Sequence, residues 1–538
     1  MEKNNQPLSK EDKKVLRAKL FQQLEGFALI STCTALNSRG ICESFSLNDK
    51  VSLTELREKH HANEGYLNVA LRILCSQGWM QHEIVKSGED RYYSINDKGL
   101  EMMEFKSYYE KAFEFYPVGI KMNNLLKNGF NDQEMAIFKQ GLNNVINNWG
   151  LQETTASDHL KKQMINHMNG IVLGPILVSL GMNEFIGENK ILKSHNDQNH
   201  WSILIEFLKN ITWLNDSEQF TSLGEFFMKR AAAFGVTVSY LPTFINLEEL
   251  IFVKGDLLWD REPNGPEIHV DRTMNVWGSG GAHDTYFKKL DQIIIEIFNK
   301  PIEEQPKGIA DMGCGNGALL EHMYNTVKNH TKRGEQMDEH PLLIIGSDFN
   351  QAAIDVTRCN LKKAGIEAHI HFGDIGDPDS LAAVLQEEYQ IHLGDILNIR
   401  SFLDHNRVYK KPEGYTNKKD GVSSGAYAFR GRRIPSGELE QNLVTHFESW
   451  KPYVKKHGLL LIELHSIAPE KTRDNLGKTA VIAYDSTHGY TDQYIVEHDV
   501  FIEMAGRAGL YPNKAVSSQF PSKDLTTVSI NLLSENVT

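Results

Sequence analysis

Three glycines at alternate positions, Gly313, Gly315 and Gly317, strip every Cβ from a short turn that follows Asp311. Such a turn lets main-chain N–H groups lie against a ligand, and the helix after it presents its N-terminal amides to the same place. The spacing G-x-G-x-G differs from the G-x-G-x-x-G of dinucleotide sites. An apolar run, 308–310, leads into Asp311, so the acid stands at a strand end. A second apolar run, 341–346, leads to Asp348, placed to accept from ribose hydroxyls. A third, 368–372, leads to Asp374, with Asp374 and Ile375 positioned to flank an adenine.

Open α/β sheets react at the carboxyl ends of their strands. A fourth strand at 394–400 runs into Asp404 and His405, and a fifth at 458–465 carries Glu463 and ends in His465. A helix opening near Pro435 runs antiparallel to the strands, which places Glu440 and Gln441 at the reactive end and His446 more than a turn further down. Two imidazoles and one oxygen donor suit a mononuclear Fe or Mn ion: His405, Gln441 and His465, with Glu440 as the reserve oxygen. Two other readings fit the same residues. His405 can be a metal-free general base, or both histidines can be structural.

The insertion 407–433 carries Arg407, Lys410, Lys411, Lys418, Lys419, Arg430, Arg432 and Arg433 against only Glu413 and Asp420, in a chain of formal net charge −13. A positive lid of this kind suits a carboxylate, a phosphopantetheine arm or an acidic carrier protein. Its Tyr409, Tyr427 and Phe429 are candidates for shielding the reaction from water.

These residues require an α/β Rossmann-like sheet to hold them. The 538 residues are enough for about three or four folding units. Ahead of the sheet, 51–80 reads as helix, turn and amphipathic helix, followed by a hairpin around Ser87–Asp90 and a strand from Arg91, which is a winged-helix pattern. Its second helix, from Glu64 to Ser76, holds one arginine and no lysine, so it reads as a dimerisation or adaptor unit rather than a nucleic-acid reader. The expected organisation is a winged-helix-like domain over 1–110, a helical connector over 111–163, a second winged-helix-like domain over 164–235, and the catalytic domain over 236–538. The run Val276-Trp-Gly-Ser-Gly-Gly-Ala-His283 is too glycine-rich for a helix interior and reads as a cofactor-wrapping segment or a turn. The five cysteines lack metal or disulfide spacing. No stretch approaches the ~20 apolar residues of a membrane span, and the polar start lacks a signal-peptide core, so a cytoplasmic protein is expected.

The glycine turn with its strand-end acids resembles motif I of class I S-adenosylmethionine (SAM) methyltransferases, where the acid faces the methionine ammonium. Together with Val276–His283, Phe402-Leu-Asp-His-Asn-Arg407 and Glu463-Leu-His465, it is similar to the metal-dependent C-methyltransferases of apratoxin-type polyketide loading modules. The resemblance runs from about Val236 to the C-terminus. It implies SAM as methyl donor, iron or manganese on His405, Gln441 and His465, and a malonyl-like acid or carrier-protein thioester as acceptor, with Asp404, Glu463 or a metal-bound water as base. The alternative is a metal-free O-methyltransferase with His405 as base and a winged-helix dimerisation domain.

Overall fold

The computed structural model describes residues 7–47, 49–84, 91–183, 185, 199–260, 267–416 and 421–535, without the side chains of 281–285. The expected hairpin tip Ser87–Asp90, the charges of Lys418, Lys419 and Asp420, and the His283 side chain therefore lie outside the described residues. The chain forms two compact units. One is Met1–Ala282 with Ala426–Arg433 and Ala468–Thr491; the other is His283–Gly425 with Ile434–Ile467 and Asp492–Thr538.

The first unit is mostly helical. Helix α1 (Lys10–Ser38) begins with a reciprocal cap between Ser9 and Asp12, which satisfies two otherwise unpaired N–H groups. After it come β1 (Val51–Ser52), α2 (Leu53–His60), α3 (Glu64–Gln77), β2 (Met80–Ile84) and β3 (Arg91–Ile95). The three strands pair in the order β1-β3-β2, antiparallel throughout, which gives the winged-helix pattern its small sheet. Helix α3 starts on the Asn63 side chain and stops at Gly78, whose φ of 85° suits glycine. Its single arginine, Arg72, is buried and ion-paired with Asp485.

Helix α4 (Asp158–Met182) corrects one expectation. It is long and apolar enough to cross a membrane by composition, but 94% of its apolar window is buried inside the protein. It packs against α1 as a core helix. A second correction concerns the glycine-rich run at 276–283, which lies inside a helix, α6 (Arg272–Phe298). The reason is a close crossing with α5 (Ala231–Ser239): a Cβ on Gly278 would meet the Gly235 main chain at 2.7 Å. Close backbone approach outweighs the helix propensity lost to glycine.

The unit boundaries also differ from those expected. Residues 236–259 form helical turns packed on the α1/α4 core, so the sheet-bearing unit starts at His283 rather than 236. The helices of 111–163 pack in the same core.

The second unit is an α/β sandwich. Its strands begin with β4 (Gly308–Met312), β5 (Leu343–Asp348), β6 (His369–Phe372) and β7 (Leu397–Ser401); the chain then forms a separate hairpin of β8 (Tyr427–Phe429) and β9 (Arg432–Ile434), most of which belongs to the first unit. The last four are β10 (Leu459–Leu464), β11 (Tyr511–Pro512), β12 (Ser518–Phe520) and β13 (Val528–Ser534). The sheet order is β11-β13-β10-β7-β4-β5-β6, with β12 also on β13. Strands β6, β5, β4, β7 and β10 are parallel and β13 is antiparallel to β10. The order reverses between β4 and β7, where open sheets leave a crevice for a ligand. Every residue of β4 is buried, as expected of a strand covered on both faces.

Candidate active site

The glycine turn leaves β4 at this switch point. Gly313, Gly315 and Gly317 all have positive φ, at 76°, 55° and 81°. A Cβ on Gly313 would press on Leu403 at 3.0 Å and one on Gly317 on Thr357 at 3.1 Å, whereas at Gly315 it would meet nothing closer than 4.0 Å. The turn is thus packed on two sides and open at its middle glycine, which is the cradle a bound nucleoside needs. Asp348, at the end of β5, accepts from Gly315 N at 3.0 Å with one oxygen and from Asn350 N at 2.9 Å with the other. It braces the turn from the end of β5.

Asp311 is buried, and its Oδ1 has no hydrogen-bond partner among the described residues. Burial, reinforced by the Asp348 charge, pushes its carboxyl well above the ordinary range. An orphaned buried acid beside an open glycine turn fits the ammonium of a methionine moiety, so the residues present fit SAM. Asp374 follows β6, half-buried, and accepts from Gly376 N at 2.7 Å. Ile375 is buried and its carbonyl accepts from Trp450 Nε1 at 2.8 Å. Cys314, inside the turn, is a buried thiol pushed up to about 12 by burial. Of the other cysteines, Cys33, Cys42 and Cys75 are buried and Cys359 is exposed.

On the other side of the switch point, β7 ends in a sharp reversal. Phe402 has φ 55°, a conformation a bulky side chain adopts only when its surroundings enforce it, and its N–H donates to Ile462 O at 2.7 Å. The reversal delivers Asp404 and His405 in a single 3-10 turn. His405 Nδ1 lies 2.6 Å from Glu463 Oε1, and Glu463 Oε2 accepts from Asp404 N at 2.8 Å. Tyr494 N donates to His405 O at 2.7 Å and fixes the main chain behind the ring. A carboxylate on Nδ1 selects the tautomer with Nδ1–H, which makes Nε2 the basic nitrogen of the ring.

A second buried cluster lies beside this pair. Asp404 Oδ1 is 3.0 Å from His446 Nε2 and 3.3 Å from Arg400 Nη1. Burial alone would raise the Asp404 carboxyl, but Arg400, the His446 hydrogen bond and Arg407 together hold it below the ordinary value. Burial lowers the His446 imidazole to about 4, against the pull of Asp404. Arg407 is buried too, with Nε on Asn442 Oδ1 at 2.7 Å and Nη1 on Asp404 O at 2.8 Å.

The expected metal set does not assemble. Helix α7 (Ser436–Val454) turns Leu439, Leu443, Phe447 and Trp450 inward, which puts Gln441 on its exposed face. The reserve donor Glu440 is buried, accepts from Ser423 N at 2.9 Å, and is raised by burial. His465 is 0% exposed, with Nε2 2.7 Å from Ser529 Oγ and Nδ1 3.3 Å from the Val496 carbonyl. Its imidazole is pushed well below the ordinary value by burial, then by His498. Three of the four proposed donors are thus turned away or already engaged, and the residues do not fit a mononuclear ion. Among the described residues no other group of three or more His, Cys, Asp or Glu side chains could hold one.

The sequence reading missed Arg400 and set His446 aside as lying more than a turn further down the helix. The helical repeat of α7 places His446 on the same face as Asn442, one turn on, and was the available signal. The expected positive lid is also altered. Arg407 is buried, Arg430 lies over the Trp259 ring at 3.7 Å, and Arg433 pairs with Glu64 at 2.6 Å. Lys410, Lys411 and Arg432 are exposed. Tyr409 is buried with its hydroxyl on Glu438, while Tyr427 and Phe429 lie in the segment that belongs to the first unit.

Three domain families match this sequence in succession. The AprA N-terminal domain covers residues 16–82, the AprA winged helix domain 169–254, and the AprA MT2-like domain 267–531. No curated protein matches the sequence. Among solved structures, the CurJ carbon methyltransferase is 11% identical, with 79% of this chain and 98% of that one covered and a TM-score of 0.33. The citrinin polyketide synthase CMeT domain is 11% identical, with 80% and 96% covered and a TM-score of 0.33. An O-methyltransferase family 2 protein from Planctomyces limnophilus, in complex with apigenin, is 10% identical, with 96% of each chain covered and a TM-score of 0.38. The three AprA-type matches follow one another along the chain, which is a SAM-dependent methyltransferase.

Proposed function

We propose that the chain methylates the acidic α-carbon of a malonyl-like or β-ketoacyl thioester in polyketide-type biosynthesis, with His405 as the base. The observation that carries this reading is the His405–Glu463 contact of 2.6 Å, with the second Glu463 oxygen held by the Asp404 amide. His405 retains 7% of its surface and His465 none, so His405 is the imidazole of the two that can meet a substrate. The AprA MT2-like match supports a polyketide setting for the acceptor.

When bound, SAM supplies an electrophilic methyl on a positively charged sulfur that departs as a neutral thioether. The open turn at Gly315, the orphaned Asp311 oxygen, Asp348, Asp374 and Ile375 are the residues that would hold it. His405 Nε2 takes the α-proton, and the electron pair left on carbon forms the new C–C bond as the C–S bond breaks. Glu463 offsets the positive charge that appears on the ring and keeps Nδ1–H pointing at itself. The proton on Nε2 is then passed to water.

The test uses acetoacetyl pantetheine as the probe acceptor and labelled SAM, with product analysis by mass spectrometry and NMR. Carbon methylation that survives dialysis against a strong chelator and is lost in His405→Gln supports the reading. Methylation on oxygen would move the assignment to the O-methyltransferase alternative, and loss on chelation would restore a metal to the site.

A further inference from the structure

We infer that the first unit is a two-fold dimer built within one chain: two copies of one winged-helix module cover each other's pairing face, so the protein works without a second chain. Nothing in this depends on the assignments in the active site.

The two copies share their turns bond by bond. In the first, Trp79 N donates to Leu74 O at 3.0 Å, Asn96 N to Trp79 O at 3.3 Å, and Gly99 N to the Asn96 side chain at 3.0 Å. In the second, Trp213 N donates to Leu208 O at 2.8 Å, Thr221 N to Trp213 O at 2.9 Å, and Gly224 N to the Thr221 side chain at 3.2 Å. The residues before the two tryptophans, Gly78 and Thr212, are both left-handed, with φ of 85° and 60°. A Cβ on Gly99 would meet Trp79 O at 2.1 Å, and one on Gly224 would meet Trp213 O at 2.2 Å. Equally far beyond each glycine, Tyr116-Pro117 and Leu241-Pro242 each open a helix. Capping, close approach and helix start recur together, which marks an internal duplication.

The copies meet through their opening helices, α1 and α4, and the contacts are reciprocal. A Cβ on Gly26 would meet the His167 carbonyl oxygen at 2.2 Å, and one on Gly170 would meet the Gln23 carbonyl oxygen at 2.1 Å. Glycine at both places lets the two main chains touch. A single sequence offset carries Gln23 to His167, Gly26 to Gly170 and Gln22 to Asn166. The last two are each other's partners, Asn166 Nδ2 donating to Gln22 Oε1 at 2.7 Å, as counterparts beside a two-fold axis should be. An interface in which each contact has its mirror is isologous; it closes on two copies and leaves no matching face for a third.

The two-fold also accounts for an orphaned side chain. His167 Nδ1 lies 2.6 Å from the Tyr109 hydroxyl. The symmetry-related pair is Gln23 and Phe234, since the offset that carries Tyr116 to Leu241 carries Tyr109 to Phe234. Phenylalanine has no hydroxyl to offer. Gln23 is fully buried, and its Oε1 and Nε2 both lack a hydrogen-bond partner among the described residues.

The test is sedimentation of the full chain from about 1 to about 100 μM, a range over which a reversible dimer would change its mass by mass action. The mass of one chain is expected throughout, and a dimer at either end overturns the inference. The symmetry itself is tested by Phe234→Tyr, which supplies the hydroxyl that Gln23 lacks. It should raise the melting temperature by about 2 °C, the size of one added buried hydrogen bond. A hydroxyl buried away from Gln23 would lower the melting temperature instead, and that result overturns the two-fold relation. The mass measurement uses the unaltered chain, so a variant that does not fold leaves that test standing.

Discussion

The glycine turn and the His405 cluster leave neighbouring parallel strands, yet they are built by different means. At the turn, the site is main chain: three positive-φ glycines, one carboxylate bracing an amide, and an open space at Gly315. At His405 it is side chains, drawn from the end of β7, from Glu463 on β10 and from the buried face of α7. A site made of backbone fails when a Cβ is added, and a site made of buried charges fails when a charge is removed. The two halves should therefore separate binding from turnover.

The strongest test of that separation is His405→Gln. It should lower kcat by about 10²- to 10⁴-fold, the usual contribution of a positioned base, while the calorimetric SAM affinity stays unchanged. A parallel loss of SAM affinity would mean that the halves are not independent. Next in size is Asp348→Ala on the other side. It removes the acceptor for Gly315 N and Asn350 N, so SAM affinity should fall by about 10- to 100-fold, the range of a hydrogen bond to a charged group. Turnover at saturating SAM should change far less.

The same contrast explains what the sequence disclosed. The glycine turn and the strands that end in Asp311 and Asp348 were legible because local sequence dictates them. The pairing of His405 with Glu463 was not, since it depends on the reversal at Phe402 and on parallel pairing that sets Ile462 beside Ser401. Gln441 was misplaced because proximity to the start of α7 was weighed above the helical repeat, which turns Gln441, Thr445 and Glu448 outward together. Arg400 could not be read as buried, because Trp450 and His446, distant in sequence, join Asp404 in making that burial tolerable. The glycine-rich run at 276–283 misled for the opposite reason: its local signal was real, but a helix crossing at Gly235 overrode it.

A smaller effect separates stability from binding at Asp311. Its folded-state carboxyl is raised by burial and by Asp348, so its contribution to stability is fully present below the unfolded carboxyl value and is lost as pH rises through the folded one. At neutral pH the ligand-free protein bears this cost. Asp311→Asn should raise the ligand-free melting temperature by about 2 °C or more while weakening SAM binding, the usual opposition at a site that keeps a group unsatisfied for its ligand. In the wild type, SAM binding should release protons, read as a dependence of the binding heat on the buffer's ionisation enthalpy. An asparagine variant with lower stability and unchanged affinity would show that the orphaned oxygen does not serve the ligand.

The smallest expected effect is at His446, and it tests whether the base side depends on charge at all. Its folded value of about 4 lies below that of an unfolded histidine near 6.5, so protonation favours the unfolded chain. The stability it contributes is complete above about pH 6.5 and is lost as pH falls towards 4. Buried His167, His82 and His457 are depressed in the same direction, so one substitution removes only part of the acid sensitivity. His446→Asn, which can still donate to Asp404, should flatten the stability profile over that window by the equivalent of one proton. Urea midpoints measured at pH 7, 6 and 5 would show it. A variant as acid-sensitive as the wild type would mean that His446 takes up a proton as readily in the folded protein as in the unfolded chain, a further cation beside Arg400 and Arg407 facing Asp404.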